Sequence, residues 1–442
     1  MSAIINFLNV IVILLYILTL ARFYNKHAEY FFSMLIILIF WTQLIVSSAY
    51  IETGVYLKDI GKTSYTTGVT IRLFVMLEII IGIINYLAGK YPQPTIAPTK
   101  EATYTYEDFR GILFWLFLLF SYRLADMFAS GNILTTPGVT RFNYFSVFSK
   151  LPFAQIIDYF VNSFSMLLGY IFLLAKKRRQ KAYILMMIFM NYVALFLRGI
   201  EFSGYLQCAV YFSSPILITL ARKRKLLRMR YAVLAATLLI AMLIPKYNHF
   251  SNSIKKGNAD TSYGLNTAYD FLLYRIFAQE ADLTWEIDRQ VWCDGNTDPG
   301  RYIETLKGIV GLPVETSDTQ YLMNRGCSAS ALLMYSYGTA VLTGGYPVLW
   351  PALFGYLIAP IFICIDAYLL FLVLRCICTG MSKQRPFLLL SGAFLLGQCH
   401  TVVISGNIST FGNLVPKLLI ILLLVVYRHP IRLKMRNRIV RL

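Results

Sequence analysis

Charge is what this 442-residue chain has least of. Asp, Glu, Lys and Arg together make up 14 % of it, against about 25 % in soluble domains. That scarcity excludes an ordinary soluble globular protein and a charged disordered chain. Histidine is equally thin, with four residues at 27, 249, 400 and 429. No H-E-x-x-H is present, so neither a bound transition metal nor another cofactor is expected. No G-x-x-x-x-G-K-[ST] loop occurs, which removes the usual phosphate cradle for ATP hydrolysis. Seven cysteines in a chain of this length exclude a disulfide-stapled module. Cys376-x-Cys378 has the wrong spacing for a zinc ribbon. Fixed-period repeats and low-complexity tracts are also missing.

Apolar residues fill the space, at 57 % of the chain. A membrane-spanning helix needs about 20 of them in succession. Eleven stretches qualify, some marginally: Ile4–Ala21, Phe31–Tyr50, Val69–Ala88, Gly111–Phe128, Leu151–Ala175, Ala182–Leu197, Tyr205–Ala221, Tyr231–Ile244, Val348–Leu374, Phe387–Ile404 and Phe411–Tyr427. The expected fold is an all-α polytopic membrane protein. Residues 1–244 hold eight spans, 245–347 form a large loop, and 348–442 hold three spans and a basic tail. The first stretch lacks the basic flank and cleavage site of a signal peptide.

Lys and Arg decide orientation. Lys176–Lys181 reads KKRRQK, and Arg222–Arg230 reads RKRKLLRMR. With eleven crossings these fall on one side together with Arg22–Tyr30, Lys90–Arg110, Arg375–Arg385 and the tail from Arg428. Those connections hold 25 of the 41 basic residues in 71 positions. That side is read as cytoplasmic, with the N-terminus outside and the C-terminus inside. The asymmetry accounts for most of the net charge of +19, so nucleic acid is not needed to explain it.

The outer loop Pro245–Pro347 is too long to be structureless. Tyr269–Arg289 has apolar residues at helical spacing and reads as an amphipathic helix on or near the membrane face. Tyr302–Ile309 and Ser328–Tyr337 are shorter helical segments. Cys293 and Cys327 share this loop, and whether they pair is open. Lys255, Lys256, Arg301 and Lys307 read as solvated surface.

Ionisable groups within or beside spans are costly and mark candidate sites. Arg123 and Asp126, at i and i+3, can pair on one helix face. Arg72 and Glu78 are six apart, so each needs a partner elsewhere. Arg198 and Glu201 share a tight outer turn. Lys417 lies in the last span. His400 sits one turn inside span ten beside Gln398 and Ser405. Arg275, Gln279, Asp282 and Glu286 fall on one face of the loop helix, with Glu280 and Arg289 nearby, and Arg325 precedes span nine. Each has a structural alternative: an ion pair for Arg123–Asp126, helix salt bridges for Arg275 and Arg289, a packing role for His400. Together they suggest an outward basic cavity suited to an anionic lipid head group, since guanidinium binds two phosphate oxygens at once.

Cys327–Gly345 reads CSASALLMYSYGTAVLTGG. It resembles the Y-x-x-[FY]-G-x-x-x-x-x-G pattern after the large periplasmic loop of Wzy-type O-antigen (repeat-unit) polymerases. Tyr337, Gly338 and Gly344 match, while Tyr335 stands one place off the first position. The plan of spans and late large loop is similar too. Some members carry an Arg and a Gly separated by ten residues, as Arg289 and Gly300 are, although a second copy is missing here. The resemblance implies kinship in architecture with O-antigen ligases and lipid-dependent glycosyltransferases of the bacterial inner membrane. It implies transfer of a glycan en bloc from undecaprenyl diphosphate to a second undecaprenyl-diphosphate-linked repeat unit, without metal. Ile51–Gly68 agrees, holding only Glu52 and Asp59 rather than adjacent acids. A chain-length regulator is a possible partner. The expected roles are Arg198, Arg275 and Arg325, with Arg289 in reserve, on diphosphate; Glu280 or His400 as base; and Glu201, Gln279 and Tyr335 in support. The alternatives are an O-antigen ligase and a lipid-linked oligosaccharide flippase.

Overall fold

A computed structural model describes residues 2–91, 104–136, 138–139, 143–200, 202–222, 274, 277–279, 281–336, 346–428, 432–435 and 438–441. It is mostly helical. Seven helices among the described residues are long and apolar enough to cross a membrane, and an eighth qualifies if the pair Ala154–Val161 and Ser163–Leu174, bent by 53°, is one span. This is the architecture of a multi-pass membrane protein. The expected span Tyr231–Ile244 lies outside the described residues.

The first two helices show how the chain reverses. α1 (Ser2–Ser33) leaves helical geometry at His27 (φ −140°, ψ 56°), and α2 (Leu35–Ile51) begins after Met34. The two run antiparallel, since Asn9 Nδ2 near the start of α1 donates to Glu52 Oε2 just past α2 at 2.8 Å. The expected connection Arg22–Tyr30 is therefore largely helical, and the reversal is made by the bend at His27 and the break at Met34.

The bundle continues with α3 (Val69–Lys90), α4 (Arg110–Ser130), α5 (Ala154–Leu174), α6 (Arg178–Leu197) and α7 (Phe202–Arg222). α5 and α7 pack closely because Gly169 carries no side chain: a Cβ there would collide with the Phe212 carbonyl. Small residues play this part where both contact and lipid faces are apolar.

Among the described residues of the large loop four short helices follow: α8 (Asp282–Trp292), α9 (Tyr302–Val310), α10 (Asp318–Gly326) and α11 (Ala329–Ser336). α9 and α11 stand where the sequence expects helices. α8 overturns the expected surface helix. Its chain direction breaks at Ala281 (φ −123°), so the face drawn from Gln279 through Asp282 and Glu286 is not continuous. Every residue from Asp282 to Asp288 is buried. α8 is wedged into the protein and does not lie on a membrane face. Its acids are buried because partners reach them from distant segments.

α12 (Leu349–Ser382), α13 (Pro386–Ser405) and α14 (Leu414–Arg428) complete the bundle, joined at one corner by the turn Ile408–Gly412. α12 bends at Gly355, whose φ of 72° separates a first turn from the long helix. The described tail forms an antiparallel hairpin, β3 (Arg432–Met435) on β4 (Arg438–Arg441), where only a basic tail was expected; β1 (Tyr56–Leu57) and β2 (Lys62–Thr63) make a minimal hairpin in the first loop.

The connections sort to two ends. Arg375 lies over the Tyr91 ring at 5.0 Å, the Tyr104 amide donates to Gln384 Oε1 at 3.0 Å, and Gln180 Nε2 to Glu107 Oε1 at 3.1 Å. These basic connections share one end. At the other, the Ser328 amide donates to the Asp59 carbonyl and Thr319 Oγ1 to the Ser405 carbonyl, both at 3.1 Å. We call this the loop-bearing end.

Candidate functional site

The loop-bearing end is organised by buried carboxylates. Glu52 is one. Its Oε1 accepts the backbone N–H groups of Thr67, Gly68 and Val69, and its Oε2 accepts Thr70 Oγ1 at 2.7 Å. These are the free donors at the start of α3, so a carboxylate sits on the positive end of that helix. One turn on, Arg72 forks onto Asp288 of α8, Nε to Oδ1 at 2.8 Å and Nη2 to Oδ2. The Tyr356 hydroxyl of α12 donates to the same Oδ1. The Arg72 guanidinium also lies 4.5 Å over the Trp292 ring. Asp288 thus clamps three helices, and Arg72 finds its partner 216 residues away, not at Glu78.

Glu286, one turn before Gln290, accepts Lys62 Nζ at 2.8 Å, Arg289 Nε and Nη2 at 3.0 Å, and Gln290 Nε2 at 2.9 Å. Burial pushes the Glu286 carboxyl up, but Arg289, Lys62 and Gln290 together hold it below the usual glutamate range. Arg289 makes a further ion pair with Asp294, so its charge is met by two carboxylates. This is the salt-bridge alternative for Arg289, and it leaves a weak case for diphosphate there. Arg325 is different. Its donors go to Gln290 Oε1 at 2.9 Å, to the Tyr321 hydroxyl and the Ala352 carbonyl at 3.0 Å, and to the Asn296 carbonyl. Among the described residues it makes no ion pair.

Arg301 is a correction. Expected on the solvated surface, it is buried. It donates to the Thr316 carbonyl at 2.5 Å, stands 3.6 Å from Asp318 and lies 5.2 Å over the Tyr321 ring. Burial pushes the Asp318 carboxyl up, against the donors Thr305 and Ser409 and the nearby Arg301.

A separate cluster lies among α4, α5 and α6. Arg123 Nη2 pairs with Asp158 Oδ1 at 2.5 Å and Nη1 donates to Asn191; Arg198 Nη1 donates to Asp158 Oδ2. Arg123 therefore does not pair with Asp126, although both are on α4. Asp126 instead accepts Ser130, Tyr144 and Ser149 hydroxyls at 2.8–2.9 Å and the Lys150 and Leu151 amides. Arg198 is tied into this cluster, with its guanidinium also 4.7 Å over the Phe145 ring. Its expected neighbour Glu201 lies outside the described residues. Asp158, in an apolar stretch read only as a span, is the carboxylate that sequence reading missed.

A cavity of about 660 Å³ runs along α12, from Tyr302, Ile309 and Ile408 at the loop-bearing end towards Arg375 at the other. Its walls are almost wholly apolar. Phe362 to Arg375 on one wall spans about 20 Å at 1.5 Å per residue. One carboxylate, Asp366, lies on the wall, taking Trp350 Nε1 at 2.6 Å. The sequence reading missed Asp366 as well.

The remaining expectations fall as follows. His400 is buried but is not on the cavity wall, and no hydrogen bond links it to another described residue. Its neighbour Gln398 is taken by Tyr159 at 2.8 Å and Thr410 at 3.1 Å, and Ser405 by the Thr401 carbonyl. This is the packing alternative for His400. Gln279 is half-buried in the turn before α8. Arg275, Glu280, the motif residues Tyr337, Gly338 and Gly344, and the side chain of Tyr335 lie outside the described residues. Cys293 and Cys327 are both free thiols. Lys417 donates to the Val310 carbonyl, and Lys307 is paired with Glu304 at 2.5 Å. Among the described residues the nominated arginines have different partners: Arg198 joins Arg123 on Asp158, while Arg289 and Arg325 belong to the contacts around α8, α10 and α12. Comparison with protein-family models, with curated proteins and with solved structures finds no match.

Proposed function

We infer that the chain is a lipid-dependent glycosyltransferase of the repeat-unit polymerase kind, working on a polyprenyl-diphosphate-linked glycan at the outer face of a bacterial inner membrane. What supports this reading is the apolar cavity along α12 taken together with Arg325, which does not line the cavity but is fastened to the first turns of the same helix and makes no ion pair among the described residues. The cavity suits several isoprene units of a carrier tail. Arg325 is anchored on the Ala352 carbonyl, two residues from Trp350 on the cavity wall.

In this reading the tail lies along α12 and the diphosphate sits above it. Arg325 meets that charge with a guanidinium whose existing partners are neutral. As the glycosidic bond to diphosphate breaks, negative charge grows on the leaving group, and a preplaced cation in a low-dielectric site lowers the barrier most where that charge develops. The attacking hydroxyl belongs to the terminal sugar of a second lipid-linked unit, and its proton passes to a base. Glu280, next in sequence to Gln279, is the nominated base. Arg289, held by Glu286 and Asp294, is assigned to building the site, and Arg198, held by Asp158, to bracing the bundle. Holding both substrates by their tails makes the encounter effectively intramolecular.

The test is deletion of the gene with complementation by wild type, Arg325→Lys and Arg325→Ala, read on lipopolysaccharide gels. Deletion should convert a ladder into core plus one repeat unit. Arg325→Ala, present in the membrane at normal level, should leave that phenotype unrescued, and Arg325→Lys should rescue it partly, since lysine keeps charge but loses the fork. A ladder that survives deletion rejects the polymerase reading. Loss of all capped core identifies a ligase instead. Full rescue by Arg325→Ala removes Arg325 from the site.

A further inference from the structure

Helix α9 is too short to span a membrane, and its two faces differ. Tyr302 and Ile309 line the cavity, and Thr305 and Gly308 are buried. At Gly308 the helix meets the turn Ile408–Gly412 backbone to backbone: a Cβ at Gly412 would collide with the Gly308 carbonyl, and one at Gly308 would lie 2.5 Å from Ser409 Cβ. α9 is thus fastened over the end of the cavity as its roof.

The neighbouring face carries Ile303, Leu306 and Val310, exposed by 62, 41 and 61 %. At 100° per residue these three fall within about 60° of the helix circumference. Leu312, just past the helix, is 55 % exposed. Glu304 and Lys307 sit at the edge of the stripe as an ion pair. A stripe of aliphatic side chains bordered by a charged pair is the pattern of a helix lying in a membrane interface. What covers it is indicated by continuity. Lys417 of α14 holds the Val310 carbonyl, so the stripe adjoins the outer turns of α14, where Leu414 and Leu418 are themselves exposed. α14 is a short apolar helix of the bundle, read from the sequence as the last span, and the exposed apolar side chains of a span are those that meet lipid.

We propose that α9 is an interfacial helix whose Ile303–Leu306–Val310 face is embedded in the lipid leaflet at the loop-bearing end, and that it forms the partition between that leaflet and the cavity. The partner is the bilayer surface. A chain entering the cavity from this leaflet passes under α9. The proposal needs only a bilayer and stands apart from the polymerase reading, whose gel outcomes do not bear on it.

The full chain is reconstituted in vesicles of phosphatidylethanolamine and phosphatidylglycerol with a genetically encoded nitroxide side chain at position 303, 306, 307 or 310. Collision with oxygen, which concentrates in lipid, is compared with collision with a water-soluble nickel chelate. Positions 303, 306 and 310 should favour oxygen at least several-fold over position 307. High nickel access at all four positions means the face is in water and overturns the proposal. Low access to both reagents at 303 and 310 means a second copy or another protein covers the face, which overturns it equally. All four positions are exposed, so none of the substitutions disturbs packing.

Discussion

Asp288 receives the Arg72 fork and the Tyr356 hydroxyl while buried on α8. Two opposite charges out of water are tolerable only as a pair, and removing one member leaves the other without compensation. Asp288→Ala should therefore destabilise the protein by about 3–5 kcal/mol, lowering the midpoint of thermal unfolding in detergent on the order of 5–10 °C. The double replacement Arg72→Met with Asp288→Leu should recover much of that loss, because no orphaned charge remains. If Asp288→Ala unfolds at the wild-type temperature, the clamp is not structural. None of this pairing was legible in the sequence. Arg72 announced itself as a cation in a span, but its partner comes from the loop, and no local spacing rule reaches that far. Asp158 and Asp366 went unread for a related reason. A lone acid in an apolar run leaves the periodicity unchanged, and its meaning depends on which donors the fold brings to it.

α8 shows where reading by periodicity succeeds and where it stops. Apolar residues at helical spacing do mark a helix. The charged residues among them implied a wet face, and that inference failed because Lys62, Arg72 and Tyr356 arrive from other segments to satisfy the acids. Glu286 gives this burial a pH signature. Its pKa is depressed in the folded protein, so the proton binds more readily to the unfolded chain. Its contribution is fully present above the ordinary glutamate pKa and is lost as pH falls through the lower folded value. Wild type should thus outlast Glu286→Gln by a constant margin near neutrality, with the margin shrinking below about pH 4. Thermal unfolding of both proteins across that range checks the point, and a margin that grows on acidification contradicts it. α9 is the complementary case. Its helix was legible, but its lipid-like face and its role as a roof depend on Gly308 meeting Gly412, a contact between segments a hundred residues apart.

At the scale of the whole molecule, seven or eight of the eleven expected spans coincide with helices long and apolar enough to cross a membrane, because bilayer thickness fixes the length of an apolar run, while Phe31–Tyr50 and Phe411–Tyr427 fall on shorter apolar helices. Which helices touch was not legible, because the face of a spanning helix that packs and the face that meets lipid are both apolar. The two ends were legible through charge. Three of the six connections singled out by Lys and Arg, Lys90–Arg110, Lys176–Lys181 and Arg375–Arg385, are joined in space by the Tyr91–Arg375, Tyr104–Gln384 and Glu107–Gln180 contacts. Geometry says that they share an end, and the basic excess makes the cytoplasmic side the expectation for it. Cys293 tests the sign. It is an exposed thiol at the loop-bearing end, whereas Cys327 is half-buried, and burial together with Asp282, Asp59 and Glu286 pushes its thiol up, which keeps it in the unreactive protonated form. A membrane-impermeant maleimide applied to intact spheroplasts should label wild type, and labelling should vanish in Cys293→Ser. Cys364, though exposed, lies on the lipid-facing stretch of α12 and should not react. If Cys293 is labelled only after the membrane is opened, the loop faces the cytoplasm, and a transfer reaction on the outer face cannot use the cavity end that α9 covers.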